Sequence, residues 1–127
     1  MLICIKKVNE NMEFREILNP SSEDLKNIIG AKTLTAHKIN DDITCLYDFD
    51  KEKTQDEYNF ILLEEEKAEY EPRAIVKGTA IFIRDLGDCT PSALTEDDVS
   101  YLSINYLKNT AKDTTTGNRY DTLEIFA

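Results

Sequence analysis

Apolar and polar positions alternate along this chain in short bursts, and each burst predicts one element. Leu2-Ile3-Cys4-Ile5, followed by Lys6-Lys7-Val8, reads as a strand apolar on both faces, the pattern of a strand buried inside a sheet. A polar Asn9-Glu10-Asn11 turn joins it to a second strand over Met12 to Leu18, so the two predict a hairpin. Asn19-Pro20 then breaks the chain. Ser21 or Ser22 is placed to cap a short helix, with Glu23 and Asp24 at its positive end, Leu25, Ile28 and Ile29 on one face, and Gly30 at the stop. Strands are expected over Lys32–Ile39 and Ile43–Tyr47 around an Asn40-Asp41-Asp42 turn, and again over Asn59–Leu63.

The most apolar run, Ala74 to Ile83, predicts one strand in the middle of the sheet. Gly78 inside it marks a bulge or a close approach of another backbone. Thr95 is placed to cap a second helix, with Asp98 in the reciprocal position of a capping box. Val99, Leu102 and Tyr106 give that helix an apolar side, which Tyr101, Ile104 and Leu107 widen, and it is expected to end near Lys108. Glu64 to Pro72 reads as an acidic loop, and Asn109 to Asn118 as a polar loop or linker. The expected fold is α+β: a mainly antiparallel sheet of five to seven strands with two short helices packed on one face. Residues 1–107 form the single domain of that reading, and 108–127 a linker with a C-terminal extension or edge strand.

Composition sharpens this picture only in its charge. The chain has 127 residues and a net charge of −10, and twelve acids against three lysines between Asp41 and Glu71 leave −9 in that segment alone. Such a balance disfavours a direct grip on nucleic acid or on an anionic membrane, both of which need clustered Lys and Arg. It permits a partner with a basic surface. Tyr47, Phe49, Tyr58 and Tyr70 lie in or beside the segment and suit an interface, where rings anchor and charges steer. The candidate partner-binding residues are Asp48, Asp50, Glu52, Asp56, Glu57, Tyr58, Glu64, Glu65 and Glu66.

Other chemistry finds little support. Three cysteines without CxxC spacing predict no disulfide framework and no zinc site, and fit a reducing, cytoplasmic setting. The sole histidine, His37, could meet Cys45 or Cys89 in space, but no signature surrounds either thiol. Asp48-Phe49-Asp50-Lys51-Glu52 begins like a calcium loop, yet Lys53 stands where the sharp turn needs glycine and Asn59 where a bidentate Glu belongs. Four dispersed glycines build no phosphate cradle. No catalytic residue, cofactor or metal is expected.

Lys77-Gly78-Thr79-Ala80-Ile81-Phe82-Ile83, a loop with Gly87-Asp88, and Ala93-Leu94-Thr95-Glu96-Asp97-Asp98-Val99 together resemble the C-terminal half of a family of uncharacterised phage, plasmid and bacterial domains, domain of unknown function 3846. Ser22-Glu23-Asp24-Leu25 to Ile29-Gly30 is similar to that family's early helix, so the resemblance covers about residues 1–107. The acidic middle departs from the pattern; Arg73-Ala74 is all that remains of an Asn-rich strand and its turn. The resemblance implies a small mobile-element protein with no active site to carry over, and it makes inhibition of a host defence system a candidate role. The expected function is therefore a non-catalytic accessory protein that binds a basic protein partner, in its finer form by imitating nucleic acid; the alternative is a domain that binds a small molecule or nucleotide derivative.

Overall fold

In the computed structural model, residues 1–48, 58–66, 69–85, 91–112 and 119–125 are described. In chain order they form β1 (Leu2–Lys6), β2 (Glu13–Glu16), α1 (Ser22–Ile29), β3 (Leu34–Lys38), β4 (Ile43–Asp48), β5 (Tyr58–Glu66), β6 (Glu69–Lys77), β7 (Ala80–Asp85), β8 (Pro91–Ser92), α2 (Glu96–Asn105), β9 (Tyr106–Lys112) and β10 (Arg119–Ile125). The class is α+β with two helices, as the sequence predicts. The strands, however, divide between two sheets.

The first sheet runs β2-β1-β7-β4-β3, with β8 on the end of β7, and every pair in it is antiparallel. The second runs β6-β5-β10-β9, antiparallel except where β10 lies parallel to β5. Alternation along β1, β4 and β7 explains the layering. Ile3, Ile5, Leu46, Ile81 and Ile83 pack under α1 with Leu25 and Ile29. Cys4, Ile43, Cys45, Tyr47, Ala80 and Phe82 meet Phe60, Leu62, Val76 and Leu123 of the second sheet. The three strands are apolar on both faces because both faces are covered. Each fully buried Leu, Ile or Phe contributes roughly 1.5–3 kcal/mol.

This layering corrects the expected placement of the helices. Leu25 and Ile29 of α1 belong to one core, whereas Leu102 of α2 belongs to the other, so the helices lie on opposite sides of the first sheet. Both helix starts follow local rules. Ser21 accepts from the Asp24 backbone N–H while Asp24 accepts from the Ser21 N–H, and Gly30 closes α1 at φ +77°. Thr95 and Asp98 make the same reciprocal pair on α2.

Elsewhere tertiary packing overrides the local reading. Ala74–Ile83 is not one strand. β6 ends at Lys77, Gly78 turns at φ +71°, and β7 enters the other sheet at Ala80. Glu64 to Pro72 is a β5–β6 hairpin, with Glu64 opposite Glu71 and Glu66 opposite Glu69. α2 stops at Asn105, because Tyr106 takes an extended conformation that brings its ring edge-on to Phe60 at 5.8 Å. Ile104, expected on the apolar side of α2, is 72% exposed. The expected linker from 108 onward supplies most of β9, and the expected edge strand is β10, which lies inside the second sheet between β5 and β9.

Candidate functional site

Of the nine sequence-predicted positions, Asp48, Tyr58, Glu64, Glu65 and Glu66 are described, and Asp48 stands apart from the other four, on the first sheet rather than the second. Asp48 ends β4 in the first sheet and is only 8% exposed, which removes it from a docking face. Its register partner is Leu34, and burial between strands follows from its place at the end of a continuous apolar run. Asp50, Glu52, Asp56 and Glu57 lie outside the described residues. Tyr58 opens β5 in the second sheet, 39% exposed, with the Lys77 ammonium 5.0 Å from its ring centroid. Glu64, Glu65 and Glu66 follow on the same strand, paired in register with Glu71, Tyr70 and Glu69. What the fold brings together is thus the three glutamates at the end of β5 and Glu69, Tyr70 and Glu71 at the start of β6, while Tyr58 stands at the other end of β5 opposite Lys77.

Asp42, the exposed acid next to the start of β4, is tied within the chain. It accepts from Arg84 Nη1 at 3.2 Å, and the same guanidinium donates to both oxygens of Asp98 at 2.9 and 3.2 Å. Asp98 also accepts from the Thr95 N–H at 2.8 Å. Burial works to raise the pKa of Asp98, but the hydrogen bonds from Arg84 and Thr95 outweigh it and hold the carboxyl below its ordinary value. This cluster fastens α2 to β7, and its carboxylates are engaged within the fold.

The described thiols, Cys4 and Cys45, are buried. His37 and Cys45 are register partners on β3 and β4, so the strands do bring them side by side. Cys45 is buried in the core between the sheets, and burial pushes its thiol far up from the ordinary value. Cys4 is pushed up to about 12 by burial, with Lys6 acting the other way. Neither is a thiolate at neutral pH, and Cys89 lies outside the described residues. Among the described residues no group of three or more His, Cys, Asp or Glu could hold a metal ion, and no helix is long and apolar enough to cross a membrane.

The raised thiols carry a consequence for alkaline stability. An acid whose folded pKa is raised stabilises the fold fully below its unfolded value and loses that contribution as pH climbs toward the folded one. Between pH 9.0 and about 10.5, Cys4 alone should cost on the order of 2 kcal/mol. Urea unfolding at both pH values checks it: Cys4→Ala should lose less stability over that interval than the native chain, and an equal loss in both would contradict the assignment.

One polar centre was missed by sequence reasoning. Lys6 continues β1 one position past Ile5, on the face that Cys4 turns toward the second sheet, and it is wholly buried. Its ammonium donates to the Lys7 carbonyl at 2.6 Å and to Asn59 Oδ1 at 2.9 Å, and it lies 5.5 Å from the Tyr106 ring centroid. Asn59 donates in turn to the carbonyls of Lys6 and Gly78, both at 2.7 Å. The Tyr106 hydroxyl donates to Asp121 at 2.7 Å, and burial together with that bond raises the phenol above its ordinary value. Strand alternation would have placed Lys6 on an inward face, but its partner stands 53 residues away.

Comparison with family models, with curated proteins and with solved structures finds no match to this chain.

Proposed function

We propose that this protein acts by binding a protein partner that presents a basic surface, and that the β5–β6 hairpin is the docking element. One observation carries the reading. The hairpin register sets Glu64 opposite Glu71 and Glu66 opposite Glu69, two like-charge pairs along one hairpin. Directly opposed like charges destabilise a strand pair. A cationic partner relieves that repulsion, so binding and hairpin order support each other. Tyr58, half-exposed at the other end of the same strand, about 20 Å from Glu64 at strand rise, offers a separate aromatic contact.

In its finer form the proposal is that the acidic hairpin occupies a groove built for nucleic acid, as an accessory protein of a mobile element would in blocking a host defence complex. The motif resemblance around Thr79 and Thr95 motivates that form, and it adds no residue to the site. Action is by occupancy and requires no catalytic step.

The test is titration with an arginine-rich peptide across a salt series, repeated with Glu64→Lys/Glu66→Lys. Affinity for the native protein should fall as salt rises, because exposed charges are screened within about 10 Å at 0.1 M. The doubly reversed variant should bind at least about tenfold more weakly. Salt-independent binding, or full binding by the variant, would refute the electrostatic reading. Displacement of the protein from the peptide by duplex DNA would support the nucleic-acid-groove form.

A further inference from the structure

The Lys6 centre lies on the seam between the two sheets, and its chemistry is unusual for a purely packed core. A buried ammonium normally has a carboxylate beside it. Among the described residues, Lys6 makes no ion pair. Its partners are the Lys7 carbonyl, the Asn59 side-chain carbonyl and the face of the Tyr106 ring. These three come from the β1–β2 turn, from β5 and from β9, so one amine touches both sheets and the turn that joins the first two strands. The Lys7 carbonyl also accepts from the Glu10 N–H at 3.2 Å, closing the turn over the amine. From β9, Lys108 donates to Asn11 and pins the far side of the same turn.

We propose that Lys6 is a protonation-sensitive clasp between the two sheets: its amine ties the β1–β2 turn to β5, and the sheets part more readily while that amine carries its proton. Among the described residues the seam gives the proton-bearing form three partners and no direct ion pair; the carboxylate that acts on it, Asp121, accepts from the Tyr106 hydroxyl instead. Once the sheets part, water solvates the ammonium and the cost of burying it disappears. Loss of the proton removes that incentive to open.

Every charged or titratable neighbour enters the balance. Burial lowers the pKa of Lys6 from its ordinary 10.5, and Lys108 on β9 lowers it further. Asp121 on β10, Glu10 in the turn and Cys4 on β1 act the other way without reversing the direction. Tyr106 keeps its proton on the bond to Asp121. For a base with a lowered folded value, the penalty on the closed state is full below that value and is relieved as pH rises toward 10.5.

Cys4 and Cys45 supply the readout, since both thiols are buried in the core between the sheets. In a Cys89→Ser background, their reaction with a disulfide reagent reports opening of the seam. Protection factors, normalised to the intrinsic thiolate rate, are measured from neutral pH to about 10.5 in that background with and without Lys6→Met. Read at Cys45, whose shift comes from burial and from Cys4 and not from Lys6, the ratio of the two proteins cancels the ionisation of the thiol itself. The protection of the protein that keeps Lys6, divided by that of the Lys6→Met variant, should rise with pH, by up to about tenfold per pH unit at its steepest. A ratio flat across the range overturns the clasp. Should Lys6→Met fail to fold, NMR titration of the Lys6 side chain in the native protein decides the matter: a midpoint clearly below 10.5 supports the clasp, and one at or above it overturns it.

Discussion

Replacing Phe82 with alanine should remove about 3–5 kcal/mol of folding stability, the largest single-residue effect expected in this protein. Phe82 lies on β7, the middle strand of the first sheet, and is fully buried. Its ring stacks on Phe60 of the second sheet, with centroids 5.8 Å apart and planes 26° apart. Phe60 in turn meets Tyr106 edge-on, so three rings from β7, β5 and β9 form one continuous contact across the seam. Removing one end of that contact leaves a cavity that two hydrogen-bonded sheets cannot collapse to fill. Domains of this kind hold only about 5–15 kcal/mol in total, so the variant should be close to unfolded at physiological temperature. Phe82→Leu, which keeps most of the volume, should cost distinctly less than the alanine variant. Urea unfolding of the three proteins checks the order. If the alanine variant loses no more than about 1 kcal/mol, the two sheets do not pack as described.

Asp98→Ala should cost about 3 kcal/mol, through two separate losses. The first is the cap of α2: Asp98 accepts from the Thr95 N–H, and that donor is orphaned without it. The second is the charge-assisted pair with Arg84, which bonds both carboxylate oxygens from β7. Asp98 is only 4% exposed, so water replaces neither bond well. Asp98→Asn keeps an acceptor for Thr95 but loses the charge, and should cost about half as much. The pH dependence reports the charge of Asp98, which both the Arg84 pair and the Thr95 cap hold. Asp98 titrates below its ordinary 3.8, so its contribution is present above that value and is lost as pH falls through the folded one. Acid unfolding of Asp98→Asn should therefore begin from lower stability but follow a shallower slope than the native chain. Identical slopes would mean that the Asp98 carboxyl is not held below its ordinary value in the folded protein.

Counting charges along the acidic segment goes only so far. Its twelve carboxylates are plain in the sequence, but their roles diverge in the fold. Asp42 is engaged by Arg84, Asp48 is buried at the end of β4, and Glu64, Glu66, Glu69 and Glu71 oppose one another on a hairpin. Charge alone cannot distinguish these fates, because an acid inside a β-strand has the same letter as one in a loop. Lys6 is the converse case. Its inward position follows from alternation after Leu2 and Cys4, yet nothing nearby in sequence announces Asn59 as its acceptor.

What the sequence determined by itself was set by neighbours within about four positions, at the helix ends and in the first hairpin. The capping box of α2, a serine cap and the Gly30 stop of α1, the β1–β2 hairpin and the doubly apolar character of β1 and of the run that holds β7 follow from local hydrogen bonding and from side-chain period. Tertiary structure decided the rest: that Gly78 moves the chain from one sheet to the other, that Tyr106 leaves the helix for the core, that β10 lies parallel beside β5, and that the helices take opposite sides. The physical reason is common to all four. An apolar strand is satisfied by any apolar face, so local pattern specifies burial without specifying the partner, and only the simultaneous closing of both cores selects one arrangement.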